Sequence, residues 1–289
     1  MKEVRVGDIV TRRSYNGDIF FRVEGITKNE GKTTVRLRGL FMRLCADAPL
    51  DDLEKKNITE INNCRREYVK KQAESIRKVL TRQDRSRQAA LLRAGKREEG
   101  LNFFELPGRV LHLEGDREYR EHCLHTYLQL GVPCRVVHVP EQEQAAVVYR
   151  YLREESPDIL VLTGHDGLLK EAREYRSAEN YRTSRFFIEA VRRAREYESD
   201  RDKLVIIAGG CQSYYEALIE AGANFASSPE RVMIHILDPV FIAEKIAFTS
   251  IYEKLSLSDI LDSAMTGTRG MGGIQTRGKF RLGLPRSKY

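Results

Sequence analysis

DILVLTGHDG (158–167) and KLVIIAGGCQS (203–213) are the stretches whose reading decides the fold. Each is an apolar, β-branched run that stops at glycine and then presents a reactive side chain, His165 in the first and Cys211 in the second. RVLHL (109–113), CRVVHV (134–139) and VMIHIL (232–237) read as further strands. Helical periods lie between them: Ala145, Val148, Tyr149 and Leu152; Phe187, Ala190, Val191 and Ala194; Tyr214, Leu218 and Ala221, in a helix expected to begin at Cys211. PVFIAEKIAF (239–248) reads as another helix. Strands alternating with helices predict an α/β domain with a mainly parallel sheet and helices on both faces, of the flavodoxin-like kind. Right-handed crossovers put every strand C-terminus on one edge, where such sheets build their sites.

If the two strands are neighbours, ~4.8 Å apart, His165 and Cys211 emerge side by side. A free thiol is a weak nucleophile at neutral pH, and a nearby imidazole can take its proton. The backbone N–H of Cys211 and one from the His165 loop, expected at Gly167, can hold an oxyanion. Singly, a strand-end Cys or His is usually structural. Both at glycine-flanked strand ends point to a catalytic pair. Asp166 is considered as an orienter of the ring. Cys123, Cys134, His112, His122, His125 and His138 read as structural, and Cys45 and Cys64 have no evident partner. His235 is unmarked, though it could line the same edge.

Outward from this core, residues 1–60 carry short strands with an Asn16-Gly17 hairpin signal, predicting a small SH3- or KOW-like β-barrel. Residues 61–107 form a basic helical linker with an apolar stripe of Val69, Ala73, Ile76 and Leu80, interrupted by an exposed TRQDRSRQAA stretch (81–90). Residues 108–263 are the α/β domain, and 264–289 a basic, Gly-rich tail read as a mobile cover over the cleft or a disordered end. Residues 100–263 hold 27 acidic and 19 basic side chains, although the chain as a whole is +7. An acidic body with a cleft concentrates cationic ligands. No apolar run reaches the ~20 residues of a membrane span, and MKEVRVGDIV is no signal peptide. Five scattered cysteines without CxxC spacing argue against a disulfide framework or a structural zinc site, and for a reducing, cytoplasmic setting. No metal or cofactor is expected.

His165 precedes Cys211 by 46 residues. That order, each residue following an apolar strand, resembles the caspase, legumain and clostripain group of cysteine peptidases, whose pattern is strand then His-Gly, and a later strand then a small residue and Cys. Here Asp166 intervenes between His165 and Gly167. This widens the fold expectation to caspase-like or flavodoxin-like. VRVGDIVTRRSYNGDIFFRVEGI (4–26), GHDG, AGGCQS and TGTRGMGGIQTRGKFRLGLP (266–285) together resemble the YabG-type sporulation-specific peptidases of endospore-forming bacteria, over essentially the full length. The resemblance implies a cytoplasmic mother-cell protease that associates with the developing spore and trims coat or cortex-associated proteins after basic residues.

The expected function is therefore a cysteine endopeptidase with a Cys211–His165 dyad. Cleavage after Arg or Lys is expected from the acidic body and from related peptidases with acidic pockets. Asp238 is the preferred carboxylate for that residue, with Asp166 and Glu230 as alternatives. Self-cleavage is expected in the linker at Arg82, Arg85 or Arg87, favoured by tethering. The rivals are a non-enzymatic nucleic-acid- or protein-binding module whose α/β body serves for docking, and a thiol amidohydrolase acting on small amides. Nucleic acid is disfavoured by the acids mixed into the linker.

Overall fold

The computed structural model describes residues 4–29, 32–95, 104–169, 174–261 and 263–284. The N-terminal strands β1 (Ile9–Arg12), β2 (Phe21–Asn29), β3 (Lys32–Gly39), β4 (Cys45–Pro49) and β5 (Leu53–Lys55) form an antiparallel sheet in the order β4-β3-β2-β1-β5. The turn between β1 and β2 uses the expected Asn16-Gly17 pair, both with positive φ. The apolar run that begins in β3 continues past Gly39, yet the strand stops there. Leu40–Leu44 leaves the ladder and enters the neighbouring α/β body.

Helix α1 (Ile58–Gly95) is continuous. The expected break at 81–90 is absent, because that stretch contains neither Gly nor Pro. The stripe it buries is also offset from the expected one. Tyr68, Ile76 and Val79 face the protein, whereas Val69 and Leu80 are exposed.

The α/β body runs β6 (Phe104–Leu106), β7 (Val110–Glu114), α2 (Arg117–Gln129), β8 (Cys134–His138), α3 (Glu141–Glu155), β9 (Ile159–Thr163), α4 (Ser184–Tyr197), β10 (Val205–Gly209), α5 (Tyr215–Ala221), β11 (Phe225–Ser227), α6 (Asp238–Ala247), α7 (Leu257–Leu261), α8 (Gly267–Gly270), β12 (Met271–Gly273) and β13 (Arg281–Gly283). The main sheet has the order β8-β7-β9-β10-β11-β12, parallel except for β12. Strands β7, β9 and β10 are buried at every position, as the apolar runs of β9 and β10 require, and β7 also buries His112 and Glu114. One face is covered by α3, α4 and α5, the other by α2 and α6. Phe187, Ala190, Val191 and Ala194 make the inner face of α4 as expected. In α3 the buried face is Gln144, Val148 and Leu152 while Tyr149 is exposed, and the Gln144 amide donates to the carbonyls of Val139 and Thr163 where β8 and β9 end.

Two expected elements differ. VMIHIL (232–237) is not a strand. It touches one ladder position, Met42 opposite His235, and turns into α6. Its Ile234, Ile236 and Leu237 are apolar because they are buried under the sheet edge, not because they pair. The tail is not a loose cover. Strand β12 closes the main sheet against β11, β13 pairs with β6, and Lys279 is buried with its ammonium on the carbonyls of Asp202 and Lys203. Glycines at 272 and 273 let this edge strand approach Tyr215 and Phe225 where no side chain fits.

Candidate active site

The chain order reverses between β7 and β9, since β8 lies to one side of β7 and β9 and β10 to the other. A doubly wound sheet opens its crevice at that switch point, above the strand C-termini. Glu114 ends β7, His165 follows β9 and Cys211 follows β10. Strands β9 and β10 are adjacent and in register, Thr163 opposite Gly209, so the two loops start side by side. Their backbones touch: a Cβ on Gly210 would sit 2.6 Å from the Gly164 carbonyl oxygen. Glycine at 210 is what permits this approach.

Asp166 binds the two loops together. Its carboxylate accepts from the backbone N–H of Gly167 (2.8 Å) and Thr183 (2.9 Å) and from the hydroxyls of Ser184 and Ser213 (2.8 Å for Ser213). The Ser213 hydroxyl in turn accepts from the Gly210 N–H at 2.8 Å. Asp166 thus positions the His165 and Cys211 loops rather than orienting the ring. The Gly167 N–H, expected as an oxyanion donor, is occupied by the Asp166 side chain. The inward-pointing donors are the N–H groups of Asp166 and Cys211. Cys211 also does not open a helix, because a turn through Gln212 (φ 56°) separates it from α5.

Cys211 is completely buried. Its sulfur accepts from the Ile234 N–H (3.3 Å) and lies 3.7 Å from the Ile234 carbonyl. Burial pushes the thiol up to about 12, against the lowering effects of the Ile234 N–H and the Arg43 charge. His165 is almost as buried. Its ring stacks on Tyr119 at 5.1 Å, its Nε2 accepts from Arg38 Nε at 3.3 Å, and Asp116 lies 3.6 Å from Nε2. Burial, with the Arg38 charge second, pushes the imidazole down to about 3. Thiol and imidazole are therefore both neutral in this closed arrangement. The Glu141 carboxylate accepts the backbone N–H of His165 at 2.7 Å and fixes the loop.

The crevice is filled by Leu40–Leu44, the connection between β3 and β4. The Arg43 carbonyl accepts from Asp166 N–H (3.1 Å) and Cys211 N–H (3.3 Å). Its guanidinium is fully buried, paired with Glu114, 2.9 Å from the Ile236 carbonyl, 3.6 Å from the Cys123 sulfur and 5.6 Å from the centre of the Tyr119 ring. Met42 forms an antiparallel bridge with His235, and Leu44 a parallel bridge with Asp166. Burial alone would raise the Glu114 carboxyl, but the Arg43 charge and His112 hold it well below the usual carboxylate range.

Asp238, the sequence-based choice of carboxylate, does not touch Arg43 through any described hydrogen bond. It caps the start of α6, accepting from the N–H groups of His235 (3.0 Å) and Met265 (2.6 Å) and from the Thr266 hydroxyl. Burial raises its carboxyl to about 7. Glu230 is exposed and pairs with Arg269. Glu114, Tyr119 and Arg43 escaped the sequence reading. Glu114 had a signal, a lone acid closing an otherwise apolar strand before Gly115. Arg82 and Arg85 lie within α1; Arg82 pairs with buried Glu244 and donates to Ser263 at 2.8 Å. The side chain of Arg87 lies outside the described residues.

His112, Glu114 and Cys123 could by spacing offer three metal ligands. Glu114 is committed to Arg43, whose guanidinium also lies 3.6 Å from the Cys123 sulfur and puts a cation among these donors, and His112 to the Thr163 hydroxyl at 2.6 Å. This donor set does not fit a metal. Among the described residues no helix is long and apolar enough to cross a membrane.

His235 yields a pH prediction. Its half-buried ring stacks on Tyr68 at 4.9 Å, and desolvation pushes it down to about 3. A depressed histidine stabilises the fold fully above its unfolded value near 6.5, and that contribution is lost as pH falls toward 3. Relative to His235→Gln, the protein should lose up to ~1.4 kcal/mol per pH unit in that window. Urea unfolding of both proteins at pH 7, 5.5 and 4.5 reads the difference; parallel curves would refute it.

No solved structure matches the chain. The chain is 40% identical to the sporulation-specific protease YabG of Bacillus subtilis (strain 168), over 98% of each protein. A family model described as YabG peptidase U57 matches residues 5–285. With that match covering nearly the whole sequence, the chain belongs to the YabG peptidase family.

Proposed function

We propose that this peptidase is a cysteine endopeptidase that cuts after arginine or lysine, with Cys211 as nucleophile and His165 as proton carrier. The observation that carries the reading is Arg43, a buried arginine on Glu114 whose carbonyl faces two backbone N–H donors. Those contacts define what the crevice accepts, a basic side chain and a polarised carbonyl beside a thiol. The N–H groups of Asp166 and Cys211 are the oxyanion donors, a role usually worth ~10²–10³ in rate per donor. Glu114 reads the basic residue, and Met42 opposite His235 gives the backbone pairing that an extended substrate would copy. The Cys211 sulfur adds to the carbonyl carbon, its proton passes through His165 to the leaving amine, and water hydrolyses the thioester.

The order β8-β7-β9-β10-β11, with the pair on adjacent strand ends, supports an architecture of the caspase-like kind, and the antiparallel sheet of β1–β5 an SH3-like module before it. Of the limits expected from sequence, 1–60, 61–107, 108–263 and 264–289, this reading keeps the first module and the helical connection and extends the α/β body to take in β6, β12 and β13. Cleavage in the linker at Arg82, Arg85 or Arg87 requires α1 to unwind first, since peptidases take extended chains. The sporulation role of the relative suggests substrates among spore coat or cortex-associated proteins, in the mother-cell cytoplasm.

Peptides differing only by Arg or norleucine before the scissile bond test the reading. The Arg peptide should be cut at least ~100-fold faster, the weight of a buried ion pair. Equal rates, or turnover unaffected by thiol alkylation, would refute it.

A further inference from the structure

We propose that the Arg43–Leu44 bond is an intramolecular substrate of this active site, and that its cleavage opens the crevice. This rests on the cysteine-peptidase reading above and adds to it a defined bond.

Arg43 sits in the crevice at the centre of a tight turn, the Leu44 N–H donating to the Met42 carbonyl at 2.8 Å, so that its carbonyl and side chain both point into the site. Its carbonyl oxygen lies on the Asp166 and Cys211 N–H groups at 3.1 and 3.3 Å, and its guanidinium is seated on Glu114. Met42 pairs antiparallel with His235 on one side, and on the other the Cys45 N–H donates to the Asp166 carbonyl at 3.2 Å. The Tyr119 hydroxyl donates to the carbonyls of Gly39 (2.6 Å) and Met42 (3.1 Å) and pins the approach. The chain is thus held on both sides of one bond, with the carbonyl aimed at the donors beside the nucleophile. A purely structural loop would have little reason to bury an arginine, since a buried ion pair adds little stability over apolar packing.

The same segment blocks the site. Arg43 and Cys211 are wholly buried, so an external peptide has no route to the sulfur. Arg38, also on the N-terminal side of the bond, donates to His165 Nε2 and pairs with Asp116, whose carboxylate lies 3.6 Å from the same nitrogen. Removing Arg38 would leave Asp116 free to stabilise the imidazolium.

The step balances as an ordinary hydrolysis. The Cys211 sulfur bonds to the Arg43 carbonyl carbon and the C–N bond to Leu44 breaks. The thiol proton passes through His165 to the Leu44 amine. Water then hydrolyses the thioester, giving the Arg43 carboxylate and restoring the thiol.

The experiment follows the purified full-length chain by intact mass and N-terminal sequencing, while an Arg-containing fluorogenic peptide reports activity. The expected result is a break that yields residues 1–43 and a new N-terminus at Leu44. Its rate should be independent of protein concentration, it should be absent in Cys211→Ala, and peptide turnover should rise after it, with a lag set by release of the severed piece. Arg43→Lys should still be cut, and Arg43→Gln at least ~100-fold more slowly. If Arg43→Gln fails to fold, Leu44→Pro keeps the Arg43–Glu114 pair and should block the same cut. A chain that turns over the peptide through Cys211 while the Arg43–Leu44 bond stays intact would overturn the inference and leave the peptidase reading standing. A chain neither cut nor active on Arg peptides would remove both.

Discussion

Exchanging Cys211 for alanine should lower peptide hydrolysis by at least ~10⁴-fold and leave the chain folded, because on the proposed mechanism only the nucleophile is lost. The oxyanion donors are backbone groups and survive the change. The sulfur's structural role is small. It accepts one N–H from Ile234 and fills a buried space that alanine nearly fills. The expected stability loss is therefore on the order of 1 kcal/mol. With the crevice filled, the thiol is pushed up to about 12, so iodoacetamide should label Cys211 slowly in the uncut chain. Labelling should quicken once the crevice is open, because burial is the leading cause of the raised value. Rates of peptide turnover and alkylation, measured with circular dichroism on both proteins, check this. A Cys211→Ala protein with ordinary turnover would refute the assignment of the nucleophile.

Glu114→Gln should produce the second large effect, and it has two readouts. The carboxylate is fully buried against the Arg43 guanidinium, and its hydrogen bonds to the Asp116 N–H (3.0 Å) and Thr163 hydroxyl (2.8 Å) hold it in place. Neutralising it leaves a buried cation without its counter-charge, a loss of ~3–5 kcal/mol. In the uncut chain, compared in a Cys211→Ala background, this appears as a lower unfolding midpoint. In the open enzyme it appears as a ~10²–10³-fold drop in kcat/KM for Arg peptides, with norleucine peptides unchanged. Asp238→Asn is the control. If that variant, and not Glu114→Gln, abolished the arginine preference, the basic residue would be read at the start of α6 instead.

Strands β9 and β10 could be read from sequence because each is a nearly continuous apolar run that stops at glycine, which burial on both faces demands. The winding rule puts the ends of β9 and β10 on one edge, but their adjacency is conditional in the sequence and comes from the strand order. Asp238 was favoured because VMIHIL looks like a strand, and an acid after a strand looks like a pocket wall. A buried irregular segment has the same composition as a strand, so periodicity cannot separate them. Arg43 was hidden for a different reason. It sits in a cationic stretch with Arg36 and Arg38, where arginine normally means solvent, and only tertiary contact shows that one of the three is enclosed. The role of Asp166 as a clamp between loops depends on Ser184 and Ser213, both distant in sequence, and no local pattern announces such a junction.

The ladder joining the N-terminal strands sets the fate of a chain broken after residue 43. Strands β1, β2 and β3 would belong to the small piece, whereas β4 and β5 would stay with the large one, held by five paired positions between β3 and β4 and three between β1 and β5. The severed piece would therefore stay docked by its backbone hydrogen bonds. Its departure would be a separate, slower event, set by how fast two seams peel apart. A chain built this way carries its own delay between scission and the first encounter with a foreign protein.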